Sequence, residues 1–193
     1  VPGAGVPFTI GVPQGWHRLE QGDPGWAAAL AGSVADARGF DAEQRERLRA
    51  LLAGVQEQAA RQNRQERVRL VHLGRPEQPA VRAWAFLELY PSRGLDAESF
   101  AAAMAEPPVE TATRVRDRKV TRESLAGLPA VVVHDLLTVV GRHPVTLQHR
   151  VVATLFAPGE LAVQLQLSTP DLTAFADLPA VARAMADSIR LAS

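Results

Sequence analysis

The chain has 193 residues, the size of one domain, and a chain of this length buries about two thirds of its unfolded surface. Its 21 Lys+Arg balance 21 Asp+Glu, which argues against a protein that grips nucleic acid by overall charge. Hydrophobic residues at 47% against 22% charged exclude a disordered chain, and the absence of cysteine excludes disulfides, thiolate nucleophiles, Cys-ligated zinc and a lipid-modified cysteine.

The first segment alternates Phe8, Ile10 and Val12 with Thr9 and Gly11, the period of a half-buried strand. Pro13-Gln14-Gly15 turns the chain, and Trp16 is expected to cap a core. Asp23-Pro24 is read as the start of a short helix carrying Trp26, Leu30, Val34 and Ala37, with Gly39 as its stop. Asp41 and Gln44 form a capping-box pair ahead of a longer helix. Leu48, Leu51, Leu52, Val55 and Ala59 make its apolar stripe, and Glu43/Arg47 and Glu57/Arg61 are spaced for ion pairs. Its other face is rich in Arg and Gln up to about Arg67, either a solvated face or a contact for an acidic partner.

From Val68 to Leu73 the period becomes that of a strand. Val81 to Tyr90 is a longer one, with Trp84, Phe86 and Tyr90 on one face and Ala83, Ala85, Leu87 and Leu89 on the other. Apolar residues on both faces predict a central, doubly covered strand. Asp96 caps a third helix, with Leu95 and Phe100 at staple positions and Pro107-Pro108 as its end. The second half is a β-meander. Val109–Val115 and Val120–Leu125 are read as a hairpin around Arg116-Asp117-Arg118, followed by strands over 130–140, 145–156 and 161–168. Thr169-Pro170 opens a last helical segment whose main part Asp177 caps, with Val181, Met185 and Ile189 on its buried stripe.

Pairing Val139 with Val145 places Asp135 opposite His149, and pairing Leu155 with Leu161 places His149 opposite Leu167. Asp135 and His149 are thus expected as a polar pair on an apolar face. Either a carboxylate orients an imidazole for base catalysis, with no Ser or Thr at that level to complete a triad, or the two form a cross-strand ion pair. The five histidines, His17, His72, His134, His143 and His149, show no HxxxH or HExxH spacing, so neither a metal site nor a cofactor is expected. Gly32-Ser33-Val34-Ala35 lacks the second glycine of a nucleophile turn, and the glycines at 3 and 5 follow no strand. Arg114, Arg116, Arg118, Lys119 and Arg122 form a basic cluster, read as a partner-binding surface or as charges that protect an edge strand.

Phe8-Thr9-Ile10-Gly11-Val12-Pro13-Gln14-Gly15-Trp16, Leu125-Ala126-Gly127-Leu128-Pro129-Ala130 and the ending from Phe175 to Ile189 resemble the PsbP-like and Mog-like α/β/α sandwich superfamily. The resemblance follows element order over most of the chain, with an enlarged helical insertion at about 24–67. It implies a non-enzymatic adaptor or accessory subunit. Members assist photosystem assembly, bind a small GTPase or occur as actinobacterial lipoproteins, and no shared catalytic set carries over.

The expectation is therefore a single α+β domain over 1–193, a mainly antiparallel twisted sheet with helices on both faces. Its expected role is that of a non-catalytic protein-binding module from a GC-rich bacterium, binding another protein and not nucleic acid. A carrier of a small apolar ligand, lined by Trp84, Phe86 and Tyr90, is the alternative; a hydrolase built on Asp135 and His149 is the third. No apolar stretch reaches the roughly 18 residues of a membrane span. No charged segment leads into an apolar run as in a signal peptide, so a cytoplasmic location is favoured over secretion.

Overall fold

A computed structural model of the chain describes residues 8–20, 23–61, 68–74, 80–106, 113–139 and 146–192. Among these residues the fold is α+β, built on a large antiparallel sheet with four helices. The elements are β1 (Phe8–Thr9), β2 (Trp16–Arg18), α1 (Trp26–Arg38), α2 (Ala42–Arg61), β3 (Val68–Leu73), β4 (Val81–Pro91) and α3 (Ala97–Ala105). They continue with β5 (Thr113–Leu125), β6 (Leu128–Val139), β7 (Thr146–Ala157), β8 (Leu161–Thr169), α4 (Leu178–Asp187) and β9 (Arg190–Leu191). The main sheet has seven strands in the order β2-β3-β4-β8-β7-β6-β5, and β1 pairs with β9 in a separate ribbon.

The local reasons for the helices are legible. Gly39 adopts φ 68°, a left-handed conformation that costs glycine little, and so closes α1. Asp41 and Gln44 cap α2 reciprocally, the Gln44 N–H donating to Asp41 Oδ1 at 2.8 Å and the Asp41 N–H to Gln44 Oε1 at 3.0 Å. Asp96 and Asp177 accept the Ser99 and Ala180 N–H groups, each at 2.8 Å, at the starts of α3 and α4. The start of α1 differs from expectation. Its N-cap is Gly25, while Asp23 closes the preceding turn by accepting the Gly25 N–H at 2.8 Å. Leu95, the expected staple of α3, stays 48% exposed. Ala59, Arg61 and the Pro107-Pro108 stop fall outside the described side chains.

The side chains of β4 alternate between two apolar clusters. Ala83, Ala85 and Leu87 pack with Leu178, Ala182, Met185 and Ala186 of α4 and with Trp16. Trp84 packs on the opposite face with Trp26, Val34, Leu48 and Leu52 of α1 and α2. The strand is interior, between β3 and β8, although β8 and not β4 is the middle strand of the seven.

Three sequence expectations about the strands are corrected. The opening strand is confined to two residues, and Val12 is 46% exposed. No hairpin turns at 116–118. β5 runs through that stretch as one strand with a bulge between Val115 and Asp117, and it reverses at Ala126-Gly127, where both residues have positive φ. The register of β6 with β7 is one residue away from that expected. Val139 pairs with Thr146, Asp135 with Arg150, and Leu136 with His149.

The physical reason for the slip is that β6 is apolar on both faces. Val131, Val133 and Leu137 are buried on one face and Ala130 and Val132 on the other, so hydrophobic pattern distinguishes the two registers poorly. The observed register brings Arg150 beside Asp135, which already pairs with Arg118 across β5, so that no charge of the cluster is left buried without a partner. Between β7 and β8 the shift is two residues, which keeps the faces. Leu155 pairs with Val163 and His149 with Thr169 around a loop of Pro158, Gly159 and Glu160.

Candidate functional site

Asp135 and His149 are not neighbours. Strand alternation puts them on opposite faces of the sheet, and each has other partners. Asp135 is fully buried and accepts two hydrogen bonds from Arg118, at 2.7 and 3.0 Å, and two from Arg150, from Nη2 at 2.8 Å and Nε at 3.2 Å. Arg118 also donates to the Met104 carbonyl at 3.0 Å, which ties α3 to the sheet. Burial pushes the Asp135 carboxyl up, but the hydrogen bonds and charges of Arg118 and Arg150 outweigh it and hold the group below the usual carboxylate range. This carboxylate is a structural counter-ion and is not available to orient an imidazole.

The five basic residues of β5 do not form one patch. Arg118 is buried in the ion cluster with its side chain 8% exposed. Arg122 lies 3.5 Å from Glu98 of α3, and Arg116 donates to Thr138 Oγ1 at 2.8 Å. Arg114 and Lys119 are exposed. The bulge and the alternation of the strand divide the run between two faces.

What the fold does bring together lies on the α4 side of the sheet, under the segment 170–177 that links β8 to α4. His134 on β6 and His149 on β7 are diagonal cross-strand neighbours, with His134 Nε2 3.2 Å from His149 Nδ1 and the ring centroids 5.2 Å apart. They line a cleft of about 240 Å³ together with Thr169, Asp171, Leu172, Phe175, Asp177 and Leu178. Burial, and then the nearby His149, push the His134 imidazole below its ordinary range; Asp135, Asp117 and Asp177 oppose this in part. His134 had no assigned role in the sequence, because only the observed register sets it beside His149.

The same segment walls a second cleft, of about 310 Å³, lined by His72, Gly74, Arg82, Thr173 and Ala174. The His72 ring packs against both Trp16 and Phe175, with centroids at 5.3 and 4.9 Å, and those two rings stack on each other at 6.0 Å. Burial, followed by the positive neighbours His17, Arg38 and Arg82, pushes its pKa down. Its buried Nδ1 has no hydrogen-bond partner among the described residues. Arg82 and Asp171 form an ion pair, and Thr173 and then Arg82 hold the Asp171 carboxyl below its usual range. Thr169 Oγ1 donates to the Arg82 carbonyl at 2.5 Å and accepts the Asp171 N–H at 3.0 Å. These bonds fix the segment to the end of β8.

The three rings proposed as a carrier face have other engagements. Trp84 packs on α1 and α2, Phe86 lies under the Arg69 guanidinium at 5.1 Å, and the Tyr90 hydroxyl accepts from Gln164 at 3.1 Å. His143 lies outside the described residues, and among the described residues no group of three or more His, Cys, Asp or Glu side chains is placed to hold a metal. No described helix is long and apolar enough to cross a membrane.

No family model matches the chain, and no curated protein matches it. Among solved structures the chain is similar to the crystal structure of LpqN, involved in cell envelope biogenesis of Mycobacterium tuberculosis. That similarity has 10% sequence identity and a TM-score of 0.46, over 96% of this chain and 83% of LpqN.

Proposed function

We propose that this chain is an accessory binding module that recognises another protein through the cleft under residues 170–177, and that it works without catalysis. One observation carries the reading: the cleft is open and half apolar, while its polar groups are tied to one another instead of forming a nucleophile and base. The Thr169 hydroxyl proton goes to the Arg82 carbonyl, Asp171 is held by Arg82 and Thr173, and the carboxylate offered to His149 lies on the far face of the sheet. Leu172 at the rim is 41% exposed, and with Phe175 and Leu178 it offers an apolar seat flanked by His134, His149 and Asp177. Sites that seat an anchoring side chain of a partner have this composition.

The fold reading that accompanies it is an α/β/α sandwich of the PsbP-like and Mog-like kind. Support comes from the alternation on β4 between the α4 cluster and the α1–α2 cluster, and from Phe100 of α3 meeting Phe156 at 5.5 Å on the side away from α4.

The test is photo-crosslinking from position 172 in a lysate of the source organism, with position 43 on α2 as the control. A discrete protein adduct at 172 that disappears with Phe175→Asp, in a variant that keeps its circular dichroism, supports the reading. A small molecule co-purifying in the cleft favours the carrier instead. A turnover lost in His149→Ala overturns the non-catalytic assignment.

A further inference from the structure

The His134–His149 pair has the bite of a chelate. Two imidazole nitrogens bound to one first-row ion, each about 2.0–2.1 Å from it, stand about 3.2–3.4 Å apart at near-tetrahedral angles. The observed Nε2···Nδ1 separation is 3.2 Å, a hydrogen bond between the rings whose proton a bound ion would replace. Both histidines project from interior strands, β6 and β7, whose pairing runs unbroken from Ala130 with Leu155 to Val139 with Thr146. Their spacing is therefore set by sheet register and not by a loop, which is what a preorganised site requires.

The surroundings favour a cation. Asp177 lines the same cleft, and Asp135, Asp117 and Asp177 all act electrostatically on His134, while Asp171 in the same lining is already paired with Arg82. Burial disfavours the protonated form of His134, and the neutral ring is the form that ligates a metal. The cleft of about 240 Å³ leaves room for further ligands.

We infer that His134 Nε2 and His149 Nδ1 form a two-ligand site for a divalent first-row transition ion of the imidazole-preferring kind, Cu²⁺, Ni²⁺ or Zn²⁺. No third His, Cys, Asp or Glu completes the set among the described residues, so the other positions belong to water or to a donor carried by a partner. Imidazole selects these ions over Mg²⁺ and Ca²⁺, and Cu²⁺ binds most tightly. The inference uses the proposed partner cleft but does not rest on the partner reading, since the chain alone is to bind the ion.

The experiment takes the tag-free full chain, treated with chelator, and titrates it with Zn²⁺ and Cu²⁺ against a chromophoric competitor. One ion per chain is expected. His134→Gln and His149→Gln should each weaken binding at least tenfold, while His17→Gln and a Ca²⁺ titration of the wild type show no such site. Because a variant can lose its fold, the wild type is also followed by imidazole NMR: substoichiometric Cu²⁺ should broaden two histidines first, His134 and His149. Equal affinity in the wild type and in the folded double variant, or broadening that begins at other histidines, overturns the inference. Loss of ion binding with the position-172 adduct intact removes the metal site alone; loss of the adduct with ion binding intact removes the partner reading alone.

Discussion

At the scale of single residues, Asp135 shows how one carboxylate can set a register. It is fully buried, and Arg118, nearly as buried, depends on it for charge compensation. Removing one member of such a cluster leaves an uncompensated buried charge, so Asp135→Asn should cost about 3–5 kcal/mol in urea unfolding. A loss under about 1 kcal/mol, the range of an exposed ion pair, would show that water reaches the guanidiniums. The sequence displayed Asp135, Arg118, Arg150, His134 and His149 but not their pairing. A one-residue slip between β6 and β7 exchanges the cross-strand partners of Asp135, Arg150, His134 and His149 and leaves Arg118 with Asp135, and apolar alternation on a strand buried on both faces does not exclude that slip. The candidate site was therefore half legible: His149 was singled out, while His134, Thr169 and Phe175 became its neighbours only through the observed register and the path of 170–177.

At the scale of elements, helix ends were the most legible part of the chain, because capping is a local interaction between residues two or three apart. Asp41/Gln44, Asp96, Asp177 and Gly39 all act at the ends expected of them. The cap of α4 also anchors one wall of the His134–His149 cleft, since Asp177 lines it. Asp177→Ala should remove about 1 kcal/mol and lower Tm by about 2–4 °C, as read by a calorimetric scan. An unchanged Tm would mean that packing of Leu178, Ala182 and Met185 alone fixes the helix. The boundary of β5 was less legible. Its Arg-Asp-Arg run has the composition of a turn, but neighbouring β6 supplies Asp135 and Thr138 to receive Arg118 and Arg116, and the chain stays extended with a bulge.

At the scale of the whole molecule, titration of the half-buried histidines should dominate stability near neutral pH. His17, His72 and His134 all lie below their ordinary pKa of about 6.5, with burial as the first cause in each. The unfolded chain then binds more protons than the folded one as pH falls below about 6.5, so stability rises with pH through that window and is lost toward acid. The depressed Asp135 adds a second loss, as pH falls below about 4 through its folded value. Urea midpoints measured from pH 8 to pH 4.5 should hold level and then decline below about 6.5; a flat profile would mean that these rings accept protons without unfolding. Composition, apolar period and caps determined by themselves that this chain builds α+β architecture with a terminal antiparallel meander, because those features are local and each residue carries its own preference. Only the tertiary structure decided which polar groups meet. Strands buried on both faces accept more than one register by hydrophobic burial, and the choice among them fell to buried charges whose interaction exists only once distant strands have paired.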